Sequence, residues 1–209
     1  MSELRDGINP ATPKREYAAL IFDCDGTLTD SMPVHYEAWY RTMHRYGILF
    51  TEDRFYQLGG MPTEKIIERL SQEQHVPIDA RKASHEKEQA FLEMLDQLRP
   101  VEVVYAVAKA FRGRLPMAVA SGGYRDIILK QLYQIQCLDW FDVVVTAEDT
   151  LHHKPAPDVF LTAAERLRVA PQDCLVYEDS DLGVQAARAA MMDVIDIREF
   201  HQPRRITTP

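Results

Sequence analysis

Two aspartates one residue apart, Asp23 and Asp25, end the apolar run Tyr17-Ala-Ala-Leu-Ile-Phe22, and Gly26 and Thr27 follow them. At the end of a strand, residues two apart project to the same side. Carboxylates that close repel, and one stays protonated unless a cation intervenes. A hard divalent ion such as Mg2+, which takes oxygen ligands, removes the conflict. Three later apolar runs lead into further reactive residues. Met117-Ala-Val-Ala120 leads into Ser121-Gly122-Gly123, Val143-Val-Val145 toward Lys154 in His152-His153-Lys154-Pro155, and Leu175-Val-Tyr177 into Glu178-Asp179-Ser180. A serine hydroxyl and free backbone N–H groups at the expected start of a helix suit a phosphate. Lys154 is a compact positive charge for transferring oxygens. Asp179 offers another carboxylate, and the adjacent Glu178 is expected to reach a metal obliquely or through water. These residue types together describe phosphoryl-group chemistry on a divalent cation.

For residues so far apart in sequence to meet, the runs must be strands of one sheet. Each is short and apolar, as a strand buried on both faces requires. A fifth run, Val194-Ile-Asp-Ile197, follows. Helical patterns lie between them at Tyr124–Gln136, Val159–Val169 and Leu182–Ala190. Strand alternating with helix predicts a parallel α/β sheet of Rossmann-like type, in which ligands bind beyond the carboxyl ends of the strands.

The alternation stops between about 31 and 100, where three helical patterns follow without a strand. The first is entered through Asp30-Ser31-Met32-Pro33, a cap with proline in the first turn, and stops at Gly47. The second spans Thr63 to Gln72, and the third, Ala80 to Leu98, sets Phe91, Met94, Leu95 and Leu98 on one face. The expected organisation is a loose arm over 1–15, an α/β core over 16–30 and 100–200, a helical cap over 31–99 and a tail over 201–209.

The chain of 209 residues, 46% hydrophobic and 27% charged, has the composition of a soluble globular protein. Its formal charge of −8 disfavours nucleic acid or an anionic membrane as partner, and the Arg204-Arg205 pair reads as a solvated tail. No apolar run approaches the ~20 residues of a membrane span. Met1 to Arg15 is polar, so no secretory leader is expected and the cytoplasm is the expected compartment. Cys24, Cys137 and Cys174 form no CxxC pair and read as buried thiols rather than a disulfide or zinc framework.

Asp23-Cys-Asp25-Gly-Thr27, Ser121 after an apolar strand, Lys154 before Pro155, and Glu178-Asp179-Ser180 followed by Gly183 resemble, in order and position, the motifs of the haloacid dehalogenase superfamily. The resemblance covers about residues 16 to 198. The all-helical insert and Lys154-Pro-Ala-Pro-Asp158 are similar to its β-phosphoglucomutase-like subfamily, and the segment His152-His-Lys-Pro-Ala-Pro-Asp158 to its small bacterial fructose-1-phosphatase-type sugar phosphatases. The resemblance implies that Asp23 attacks phosphorus and forms an aspartyl-phosphate, while Asp25 protonates the leaving oxygen and then takes a proton from water. It implies Mg2+ held by Asp23, the Asp25 carbonyl and Asp179, with Glu178 at its edge. Ser121, Gly122 and Lys154 hold the phosphoryl group, and Thr27 bonds Asp23 or the phosphoryl oxygens. The helical cap closes over a small phosphorylated metabolite.

Other residues carry weaker signals. By the resemblance His35, grouped with the substrate-binding residues, helps couple the cap to the acid-base Asp25, and Lys87 is a substrate contact; otherwise His35 is a surface or hinge residue and Lys87 part of a solvated charged face. Cys24 is expected to turn into the core, and the adjacent His152 and His153 are expected to be loop structure rather than a metal pair. A mutase of the β-phosphoglucomutase type needs a second phosphate grip in its cap. In the segment Gly59-Gly60-Met61-Pro62-Thr63-Glu64-Lys65 the matching position holds the neutral Thr63, which favours a phosphatase, while Lys65 keeps the mutase open as the alternative. A phosphate-sensing protein on a retired scaffold would have lost Asp23 or Asp25, and a dehalogenase lacks the second aspartate.

Overall fold

The first strand is the middle of the sheet, and this places its aspartates. The computed structural model of the protein describes residues 9–59 and 61–206; Gly60 of the segment considered above and residues 1–8 of the arm lie outside the described residues. In chain order its elements are β1 Ala19–Phe22, α1 Met32–Arg45, α2 Glu52–Gln57, α3 Thr63–Gln74, α4 Ala80–Leu92, α5 Glu102–Phe111, β2 Met117–Ala120, α6 Arg125–Gln134, β3 Val143–Val145, α7 Asp158–Leu167, β4 Cys174–Glu178, α8 Asp181–Ala189 and β5 Asp193–Asp196. The five strands form one parallel sheet in the order β3-β2-β1-β4-β5. The chain leaves β1 toward β2 and β3, then returns to β1's other side for β4 and β5. Between β1 and β4 the winding reverses, and such a switch point opens a crevice at the carboxyl ends.

By contacts the chain falls into two units. One takes Arg99–Gln202 together with the chain up to Asp30, and the other takes Ser31–Leu98 together with the chain from Pro203 onward. In the first unit the three central strands β2, β1 and β4 are buried throughout, as the interior of a parallel sheet requires, and the edge strands β3 and β5 are partly exposed. Ala19, Ile21, Ala118, Ala120, Val145, Cys174 and Val176 pack with Val159, Phe160, Ala163 and Ala164 of α7 and Ala186 and Ala187 of α8. Small residues on both partners let helix and sheet approach closely. The alternate residues Leu20, Phe22, Met117, Val119, Leu175 and Tyr177 are buried at 2% exposure or less. Phe22 stacks on Tyr177 at 4.8 Å between centroids. Burying a side chain of the size of Phe22 contributes about 2–3 kcal/mol.

Several expectations need correction. β1 begins at Ala19 rather than Tyr17. The helix expected to reach Leu98 ends at Leu92, and Leu95–Gln97 is a separate 3-10 turn. Neither α2 nor α5 was expected: α2 is only 6 residues long, started by Thr51 accepting the Arg54 N–H at 3.3 Å. The β-branched Val101-Glu-Val-Val104 start of α5 blurs its period. Ser31 makes no side-chain capping bond. Gly47 does terminate α1: at φ +71° it carries the chain into the left-handed region, and Ile48 N–H returns to Met43 C=O.

Neither chain end is loose where it is described. Tyr177 Oη donates to Ala11 C=O at 2.8 Å, and Asn9 Nδ2 to Val103 C=O at 2.7 Å. Within the second unit, the Arg205 guanidinium stands 4.0 Å over the Tyr56 ring and 3.3 Å from Asp53, and Ile206 N–H donates to Glu52. Arg204 and Arg205 are both exposed, as expected of a solvated segment, though Arg205 lies over a ring and beside a carboxylate of α2. Among the described residues no helix is long and apolar enough to cross a membrane.

Candidate active site

β1 delivers Asp23 as its direct continuation: Asp23 N–H still donates to Tyr177 C=O at 3.0 Å, one step past the strand. The chain then turns sharply. Thr27, Leu28 and Thr29 N–H groups all point at Cys24 C=O, and Gly26 sits at φ +78°, a conformation that favours glycine. Asp25 lies within that turn and is not one of the carboxylates that cluster with Asp23. Cys24 between them is fully buried, with Sγ 3.9 Å from Thr29 Oγ1. Burial pushes its thiol well up, as it pushes Cys174 to about 11, so these are inert packing groups.

From β4 come Glu178 and Asp179. The carboxylate oxygens of Asp23, Glu178 and Asp179 include one from each that lie within 4.8 Å of one another. Lys154 Nζ enters from the loop after β3 and donates to Asp23 Oδ1 at 2.6 Å, with Glu178 Oε1 at 3.6 Å. Three buried or half-buried carboxylates thus face one ammonium. Burial raises Asp23 to about 7 against the pull of Lys154, and burial beside Glu178 and Asp23 raises Asp179 well above the usual carboxylate range. Burial would pull Lys154 down, but Asp23 and Glu178 outweigh it and the net shift is upward. The cluster lacks positive charge, and all its free ligand atoms are oxygens. That donor set fits a hard divalent cation.

Local chemistry fixes each carboxylate. Ser180 begins α8, accepts Gly183 N–H at 3.0 Å and donates to Glu178 Oε1 at 3.1 Å. A Cβ on Gly183 would lie 1.8 Å from Glu178 Oε2, so glycine there makes the room that Glu178 occupies. Thr27 Oγ1 donates to Asp179 Oδ1 at 3.2 Å, where the resemblance implied Asp23 or the phosphoryl oxygens. Asp25 lies apart from the cluster, and its Oδ1 accepts from Gln131 Nε2 at 2.9 Å. Gln131 was overlooked because α6 reads as an ordinary amphipathic helix. Its signal was position: it falls on the buried stripe of Ile127, Ile128 and Leu132.

Ser121 is buried directly after β2. Its N–H is not free, as expected from sequence, but continues the ladder to Val145 C=O at 3.0 Å, because α6 starts only at Arg125. Its Oγ accepts from Gly123 N–H at 3.1 Å, and Gly122 is exposed. Asp149 anchors the loop before Lys154, accepting from Thr146 N–H at 2.8 Å and Arg166 at 2.8 Å and pairing with Arg125. His152 pairs with Asp158 at 2.9 Å rather than with a neighbouring histidine.

His35 and Lys87 belong to the second unit and meet there. Lys87 Nζ is 3.0 Å from His35 Nδ1 and 3.1 Å from Glu88 Oε1. His35 stacks on Phe91 at 3.9 Å, and Lys87 is buried at 3% exposure. Thr63 Oγ1 donates to the same Glu88 oxygen at 3.5 Å. Glu88 was not singled out from sequence, because the run Glu86-Lys87-Glu88 reads as a solvated charged face.

Known proteins bear on this arrangement. The family model for haloacid dehalogenase-like hydrolases matches residues 20–197. The chain is 41% identical to the fructose-1-phosphate phosphatase YqaB of Escherichia coli, over 87% of this chain and 97% of that one. It is 31% identical to a phosphorylated carbohydrates phosphatase of Thermotoga maritima, over 85% and 83%. In structure it is similar to the β-phosphoglucomutase of Clostridium difficile, with a TM-score of 0.76 at 24% identity, covering 86% of this chain and 84% of that one; that likeness is one of fold. A sheet whose switch point gathers Asp23, Lys154, Glu178 and Asp179, together with these matches, shows that the chain belongs to the haloacid dehalogenase-like hydrolase family.

Proposed function

We propose that the protein is a Mg2+-dependent phosphatase acting on small phosphosugars of the fructose 1-phosphate type. The observation that carries this reading is the buried pair of Lys154 and Asp23 beside Glu178 and Asp179. The phosphatases at 41% and 31% identity support the reaction class and the sugar-phosphate substrate.

In this reading each residue has a role. Asp23 is the nucleophile: its oxygen forms a bond to phosphorus as the bond from phosphorus to the sugar oxygen breaks, leaving an aspartyl-phosphate. Asp25, bonded to Gln131 and not part of the carboxylate cluster, gives a proton to the departing sugar oxygen and then takes one from the water that hydrolyses the intermediate. Lys154 holds Asp23 in place and offers its remaining donors to the phosphoryl oxygens, with Ser121 and Gly122 at the neighbouring strand end. Asp23, Asp179, the Asp25 carbonyl and, at the edge, Glu178 are the groups that would hold Mg2+. When bound, the ion neutralises charge on the transferring group. Lys87 and His35 are substrate-recognition residues.

The second unit favours hydrolysis over transfer back to a sugar. Thr63 is neutral and hydrogen-bonded to Glu88, a carboxylate, and Lys65 is engaged by Glu68 at 2.8 Å on an exposed helix face. Glu88 beside Thr63 is paired with Lys87, so that position offers a second phosphate no uncompensated cation.

The test is a phosphate-release screen over phosphosugars and nucleotides, with and without EDTA. Release from fructose 1-phosphate only in Mg2+, lost in Asp23→Asn, is expected. Rapid conversion of β-glucose 1-phosphate to glucose 6-phosphate with little free phosphate would instead establish a mutase.

A further inference from the structure

The Asp25 carboxylate is met by a side chain from a different element, and that side chain is itself fastened. Gln131 on α6 is fully buried. Its Nε2 donates to Asp25 Oδ1 at 2.9 Å and its Oε1 accepts from Thr29 Oγ1 at 2.8 Å. Thr29 is also fully buried, and its hydroxyl lies 3.1 Å from Cys24 C=O, the oxygen around which the Asp23–Thr29 turn closes. Burying a primary amide is costly unless both its ends are bonded. An apolar side chain of similar volume would continue the stripe of Ile127, Ile128 and Leu132 without that cost. Facing the ionised Asp25 carboxylate, which only accepts, the amide must turn its N–H to Asp25 and its oxygen to Thr29, and this bond constrains where the Asp25 carboxyl lies.

We propose that Gln131, locked by Thr29, is a positioning residue that aims Asp25 at the leaving oxygen of the substrate. This rests on the assignment of Asp25 as the group that protonates that oxygen. Aim matters most when the proton must move as the bond to phosphorus breaks, so the demand depends on the leaving group. A sugar alkoxide needs the proton, and a nitrophenolate departs without it.

The experiment compares kcat/KM for fructose 1-phosphate and for p-nitrophenyl phosphate in saturating Mg2+, because kcat/KM reports only the steps up to loss of the leaving group. For Gln131→Met, which keeps volume and removes the donor, kcat/KM for the sugar ester should fall about 30-fold and for the aryl ester no more than about threefold. Thr29→Val should shift the ratio the same way by a smaller factor, and decides the matter if Gln131→Met does not fold. A loss that is equal for both esters, or none, overturns the inference. Asp25→Asn, run alongside, separates the two levels. If it leaves sugar-ester turnover intact, the assignment of Asp25 itself is wrong; if it removes that turnover while both other variants keep the wild-type ratio, only the role of Gln131 falls.

Discussion

Lys154 Nζ sits 2.6 Å from Asp23 Oδ1, and both side chains are more than nine-tenths buried. One ammonium therefore offsets charge for a group of three carboxylates gathered from β1 and β4. Removing it leaves them without compensation, and breaking a buried pair costs about 3–5 kcal/mol. Lys154→Met should lose about that much stability in EDTA, measured by urea denaturation, and about 100-fold or more in kcat. Wild-type stability of this variant in EDTA would show that the pair carries no such charge balance.

The same cluster is expected to make the fold sensitive to cation. An ion that binds only the folded state stabilises it by about 2.7 kcal/mol at a hundredfold excess over its Kd. Added Mg2+ should raise Tm, and Asp179→Asn should remove most of that rise, since Asp179 is one of the three clustered carboxylates. An undiminished rise in Asp179→Asn, followed by thermal unfolding, would put the ion elsewhere.

Gly183 separates activity from stability. A methyl group there would meet the carboxylate of Glu178, the far end of a flexible side chain, at 1.8–2.3 Å. Glu178 must move, taking with it the bond from Ser180. Gly183→Ala is expected to cost about 1–3 kcal/mol in stability but to reduce turnover by about 100-fold. A variant with unchanged turnover would show that the position of Glu178 does not matter to the reaction.

Asp149 gives the loop before Lys154 a defined response to acid. Burial alone would raise this carboxyl, but the Arg166 guanidinium, the Thr146 donors and Arg125 outweigh it and hold it at about 2. Its ordinary value is 3.8, so the unfolded chain takes up the proton first. The stabilisation is complete above about pH 4 and is lost as pH falls toward 2. Wild type should therefore exceed Asp149→Asn in stability at pH 6 by about 1 kcal/mol, and the two should converge near pH 2. A pH-independent gap in denaturation midpoints would contradict the pairing.

How much of this could be read from the chain alone depended on whether the signal was local. The strands were visible because four of five are short apolar runs that end in a polar cluster, and the turn at Asp23-Cys24-Asp25-Gly26 is written in consecutive residues. α5 was missed because its β-branched start has no clear helical period, and α2 because it is shorter than any period can reveal. Arg205 is exposed, as the sequence reads, but nothing in its neighbours predicts the ring 4.0 Å away on α2.

Residue types and spacing by themselves determined that Asp23, Lys154, Glu178 and Asp179 stand near the ends of strands, and so that phosphoryl chemistry on a cation was the reading to test. The family resemblance also marked Gly183, but not the reason for it. Only the folded chain decided which carboxylate Lys154 touches, that Thr27 bonds Asp179, that Glu88 faces Thr63, and that a buried Gln131 holds Asp25. Each of these is a side-chain contact across 25 to 152 residues of sequence. Helical and strand periods specify which face a residue takes, while its partner is set by how the elements pack, and no local pattern encodes that.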